Sequence, residues 1–171
     1  FDTARSTLNP KNVGDRPDYV YGTFPVVLAR LAAGATGDAG YAEVHLVGRT
    51  LSAGCDLLVV LLVYLVGTTV GDRRVGLLAA AFAGASVLQI QQSHYFTVDN
   101  FANLFATLAL FAAVRLAVAN GTGRGRPLAW SLLFGVASGA AIAAKVNTAP
   151  IVLLLPVAVA VHLAGLPTEA R

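Results

Sequence analysis

From residue 44 onward the chain reads as long apolar stretches separated by short polar breaks, whereas residues 1–43 are polar and carry three of the seven prolines. A helix needs about 20 residues to cross a hydrocarbon core of ~30 Å. Five stretches approach or exceed that length, at about 44–70, 75–92, 100–119, 128–144 and 148–165. The pattern predicts an all-α fold, a polytopic transmembrane helix bundle over 44–171 with about five spanning helices. A shorter run near 19–33 contains Pro25 and Arg30 and is too brief to span; a helix on the membrane surface is expected there, within an extracytoplasmic segment 1–43. Gly76, Ala80 and Gly84 recur every four residues, as do Gly135, Gly139 and Ala143. Small residues on one helical face let neighbouring backbones approach closely, so both stripes are expected to pack.

Composition agrees with the pattern. Of 171 residues 56% are hydrophobic and 12% charged, and the mean hydropathy is +0.69; an average soluble domain is roughly a quarter charged. This argues against a soluble globular enzyme. The net charge of +3 does not point to nucleic acid, because no basic face interleaved with aromatics is present; basic residues in a membrane chain mark a side of the bilayer. The chain has no Met and opens at Phe1, which predicts a piece of a longer protein. The single Cys55 lies in an apolar run and reads as a small packing residue.

Lys and Arg near span ends favour the cytoplasm. The 71–74 loop and the 115–126 stretch are rich in arginine, whereas the 93–99 and 145–147 loops carry one Lys and no Arg. Alternating spans then put residues 1–43, the 93–99 loop and Lys145 on the outer side, with any site built from them facing outward.

An ionisable group inside a span costs several kcal/mol unless it is partnered or lines a cavity. His45, Arg49, Ser52 and Asp56 follow one another at spacings of four, three and four, on one face of the first span. They form either a structural Arg–Asp association or the wall of a cavity. The densest polar cluster runs from Gln89 to Asn100 and includes Gln92, His94 and Asp99. Asp99 precedes an apolar run and suits an N-cap, yet the amides, His94 and Tyr95 before it suggest a hydrated pocket at the membrane surface. Asp99 and His94 can ligate a divalent metal, although two ligands do not make a set. Lys145 ends an apolar run and is either a snorkelling lysine or a point charge for a phosphate.

The order of motifs carries a resemblance. Leu8-Asn9-Pro10, Tyr19-Val20-Tyr21-Gly22-Thr23-Phe24-Pro25, Leu46-Val47-Gly48-Arg49, Gln91 to Asp99 and Ala144-Lys145-Val146-Asn147 together resemble the polyprenyl-phosphate-dependent membrane glycosyltransferases of bacteria and archaea. These belong to the GT-C superfamily, with the protein O-mannosyltransferases and the aminoarabinose transferase of lipid A. The resemblance implies an integral protein of a prokaryotic cell membrane. It would transfer a sugar, with inversion, from a polyprenyl-phosphate donor to an acceptor hydroxyl at the extracytoplasmic face. It implies Asp99 as the second acid of the site, orienting the acceptor or holding a divalent metal together with His94. Substrate contacts are expected from Lys145, Arg49, His94, Tyr21 and Gln92, and the first acidic motif is expected upstream of Phe1, so the resemblance implies a piece that is inactive by itself. The rival readings are a transporter or channel piece, with the same polar residues lining a path, and a non-catalytic membrane subunit that kept the fold.

Overall fold

The computed structural model describes residues 22–37, 43–119 and 125–165. Among them there is no strand, and the helices follow in the order α1 (Phe24–Thr36), α2 (Val44–Val70), α3 (Arg73–Gly84), α4 (Val87–Ser93), α5 (Val98–Ala117) and α6 (Gly125–Ala144). A 3-10 helix (Val146–Leu153) and α7 (Leu154–Gly165) complete the bundle. Tyr21, like the rest of 1–21, lies outside the described residues.

Four segments are long and apolar enough to cross a membrane: Val44–Val70, Val98–Ala117, Arg126–Ala144 and Val146–Gly165, the last formed by the 3-10 helix and α7. The chain is an integral membrane protein. Exposed Leu57, Leu61, Leu78, Phe82, Leu132, Val136 and Leu153 cover the outside of the bundle, as a lipid solvent requires. The stretch expected as one span over 75–92 consists of two helices, α3 and α4, bent by 61°, which together are long and apolar enough to form a fifth, broken span or a re-entrant loop. Asp72 starts α3 by accepting the backbone N–H of Arg74 and Val75 at 2.8 and 2.9 Å. Gly84 ends it, and Ser86 is extended (φ −66°, ψ 115°). The bend brings Gln89 and Gln92 of α4 to a cavity wall.

α5 is central and packs on α2, α6 and α7. Its alanines Ala109, Ala112 and Ala113, with Leu116, meet Phe134 and Ala137 of α6 and Ala158 of α7 in one core. A second core joins Cys55, Phe101, Ala102 and Ala144, with Phe24 and Leu28 of α1 against it. Phe24 and Phe105 are in ring contact at 5.6 Å. Cys55 is buried and free.

The two small-residue stripes differ in fate. A side chain at Gly76 would lie 2.5 Å from Thr68 Cγ2 and 2.7 Å from the Tyr64 carbonyl oxygen, so α3 docks backbone-close on α2 through this position. The Gly135-Gly139-Ala143 face does not pack against any described residue at its glycines: Gly135 and Gly139 have open space around them, and Ala143 is exposed. The face of α6 turned inward is Phe134, Ala137, Ala141 and Ala144. Both faces of α6 are small enough to pack, and the larger contact offered by Phe134 selects between them. Gly76→Val is expected to cost about 1–3 kcal/mol, the usual range for overpacking, seen as a lower thermal midpoint in detergent. Gly84→Ala is its control, because the nearest atom is Val60 Cγ2 at 4.0 Å.

Candidate active site

The chain crosses back and forth, so the start of α5 and the end of α6 share one end of the bundle. Thr97, extended at φ −123° and ψ 147°, is the N-cap of α5, and Asp99 stands in the first turn. Asp99 is therefore not the cap that its spacing suggested. Its carboxylate lies at the positive end of the α5 dipole, and Lys145, extended just after α6, lies at the negative end of the α6 dipole. The Lys145 ammonium donates to Asp99 Oδ1, forming a salt bridge across 46 positions of sequence.

Local structure explains how Lys145 comes to be presented. Its N–H closes the last turn of α6 on Ala141 O at 2.8 Å. The chain then leaves the α-helix for a 3-10 run containing Pro150, which cannot donate an α-helical hydrogen bond. Thr148 Oγ1 donates to Lys145 O at 2.8 Å. On the other side Gly22 N–H donates to Ala144 O at 3.1 Å. A Cβ at Gly22 would fall 1.9 Å from Ala143 O, so only glycine allows this strap to meet the end of α6 beside the lysine.

The ion pair lines a cavity of about 330 Å³ together with Gln89, Gln92, Asn100 and Asn103, a volume in the range of small-molecule sites. The Lys145 and Asp99 side chains are 31% and 38% exposed, so both charges can be reached from it. The walls are cross-linked: Asn100 Nδ2 donates to Gln92 O at 2.9 Å, and Asn103 Nδ2 to Gln89 Oε1 at 3.4 Å. Asn103 was not singled out from the sequence. The available signal was the four-residue recurrence Asp99, Asn103, Thr107, a polar stripe on a mostly apolar helix.

Arg49 and His94 meet in a neighbouring cavity of about 340 Å³ with Thr50 and Ser93. The His94 ring is tethered through Nδ1 to Ile90 O at 2.7 Å. The four-residue stripe of α2 divides along its length: His45 and Arg49 are exposed while Ser52 is fully buried. No Arg49–Asp56 ion pair is present among the described residues, and Ser52 Oγ and Asp56 Oδ1 have no hydrogen-bond partner there. Asp99 and His94 line different cavities, and no three His, Cys, Asp or Glu side chains gather among the described residues to hold a metal. By themselves these two residues do not fit a divalent ion.

A polar, charge-paired cavity at one end of a membrane bundle fits an enzyme that works on a lipid-borne substrate. No curated protein and no solved structure matches the chain. The profile of the dolichyl-phosphate-mannose-protein mannosyltransferases matches residues 36–169, which include Asp99, Lys145, Arg49 and His94. The chain therefore belongs to the dolichyl-phosphate-mannose-protein mannosyltransferase family, a family of membrane glycosyltransferases that draw on lipid-linked sugar donors.

Proposed function

We propose that the Asp99–Lys145 cavity is where a polyprenyl-phosphate sugar meets its acceptor, on the extracytoplasmic side of the membrane, and that transfer proceeds with inversion. The observation that carries this reading is the solvent-accessible ion pair between two helix ends. It supplies a cation for a phosphate and an acceptor group for a hydroxyl within one polar wall.

The acceptor oxygen attacks the anomeric carbon from the side opposite the phosphate. A carbon–oxygen bond to the acceptor forms as the bond from carbon to the phosphate oxygen breaks, and the electron pair leaves with the polyprenyl phosphate. Lys145 exchanges its contact with Asp99 for the phosphate, where negative charge builds up, a form of stabilisation that water-excluding sites make strong. Asp99, released, accepts a hydrogen bond from the acceptor hydroxyl and orients it. A carboxylate outside the described residues takes the hydroxyl proton as general base. Gln92 and the amides beside it bind sugar hydroxyls. Arg49 and His94 extend the polar surface toward the acceptor in the neighbouring cavity, and Tyr21 contributes from the N-terminal segment. A divalent ion, where the whole protein uses one, would be held through Asp99 with ligands beyond the described residues.

The test uses the purified full-length protein in detergent. Polyprenyl phosphate is expected to raise its melting temperature, small sugars and salts are not, and Lys145→Gln is expected to remove the shift. A protein indifferent to polyprenyl phosphate but stabilised by small solutes would instead support a transporter, a class in which broken helices such as α3–α4 also occur.

A further inference from the structure

We propose that the end of the bundle opposite Asp99 carries a second anion site, in which Arg115 and Arg126 bind the phosphate of a membrane-lipid headgroup. Arg115 lies 16 residues beyond Asp99 on α5, roughly 24 Å along the axis at 1.5 Å per residue, so the two sites stand at opposite ends of one helix. Thr68 and Thr69 of α2, Arg115 of α5, and Arg126 and Trp130 of α6 line a cavity of about 380 Å³.

Several features go beyond snorkelling arginines. The Arg115 guanidinium is held over the Trp130 ring at 5.0 Å and near the Phe111 ring at 6.0 Å, and those two rings pack edge to face at 5.7 Å. These cation–π contacts hold the guanidinium carbon beside the rings, and its N–H donors suit a bidentate acceptor such as phosphate. Among the described residues no carboxylate lines the cavity and the ion pair present is Lys145–Asp99, so neither arginine is neutralised by a described acid. Asp72, the described acid at this end, is engaged with the backbone N–H of Arg74 and Val75.

The threonines refine the ligand. Thr68 and Thr69 Oγ1 donate to Leu65 O at 3.0 and 2.6 Å. Their hydrogens are thereby used, and the oxygens offer only acceptor lone pairs to the cavity. A bare phosphate is itself an acceptor at that wall. A headgroup that joins a phosphate to free hydroxyls, as phosphatidylglycerol does, satisfies the arginines and the threonines together.

The experiment takes the full-length protein in nanodiscs of phosphatidylcholine, with and without phosphatidylglycerol, and follows thermal unfolding. A parallel arm adds inorganic phosphate to the phosphatidylcholine discs. Phosphatidylglycerol is expected to raise the melting temperature of the wild type, Arg115→Gln/Arg126→Gln to lose that rise, and Arg115→Lys/Arg126→Lys to keep part of it. Arg73→Gln/Arg74→Gln, which removes the same charge from the same end but outside the cavity, is expected to keep it. A rise with inorganic phosphate that the glutamine pair abolishes would retain the anion site and identify a free anion as its ligand, overturning the headgroup. Absence of any rise, or equal loss in both glutamine pairs, would overturn the site. The readout is independent of sugar transfer, so it stands or falls apart from the reading of the Asp99 cavity.

Discussion

Asp99→Asn in the full-length protein is expected to abolish sugar transfer from a lipid-linked donor while its abundance in the membrane stays at the wild-type level. Asparagine preserves the volume and one acceptor oxygen, so the turn at the start of α5 is undisturbed. The substitution removes the charge that holds Lys145 in its resting position and replaces a strong acceptor for the substrate hydroxyl by a weak one. Losses of about 10²–10⁴ in rate are usual when a group that handles the reacting proton or hydroxyl is disabled. The stability cost is small by comparison, since both side chains are about a third exposed and such ion pairs contribute no more than about 1 kcal/mol. Product formation in membranes matched for protein content checks the result; undiminished transfer would remove Asp99 from the site.

The second large effect is expected at Lys145. Lys145→Ala removes the described cation closest to Asp99, and loss of a preorganised electrostatic contact to the leaving group costs roughly 10²–10³ in kcat. Lys145→Arg restores part of the rate, because the charge is kept while its reach and geometry change. The double variant Asp99→Asn/Lys145→Ala is expected to be little worse than either single change, as partners in one constellation are strongly non-additive. Additive losses would mean that the two residues act separately and that their salt bridge is incidental to the chemistry.

The distance in sequence between these residues marks where sequence reading stops. Asp99 and Lys145 each carried a bland alternative, a helix cap and a snorkelling lysine, and hydrophobic pattern alone leaves such alternatives open. Their meeting depends on α5 and α6 running antiparallel with Ala102 and Ala144 in the same core. Arg49 and His94 likewise gain a shared cavity only because α4 turns back toward α2. The break at Ser86 that produces this turn falls within a stretch apolar enough to read as one span; a lone Ser after Gly-Ala is too weak a signal to end a helix by itself. The small-residue stripe of α6 is left without a described neighbour for a related reason. Small residues permit close approach on any face, and which face is used depends on the neighbours.

The sequence by itself determined the solvent, the element type and the family. Stretches of about 20 apolar residues have no stable place outside a bilayer, the bilayer admits helices because every backbone polar group must be satisfied within the segment, and the order of motifs resembled GT-C glycosyltransferases, to which the family match corresponds. Tertiary structure alone decided which polar residues share a cavity. Burial in lipid drives every apolar face equally, so the pairing of helix ends, the Asp99–Lys145 bridge and the arginine-lined cavity at the far end are set by packing between helices, which no single segment encodes.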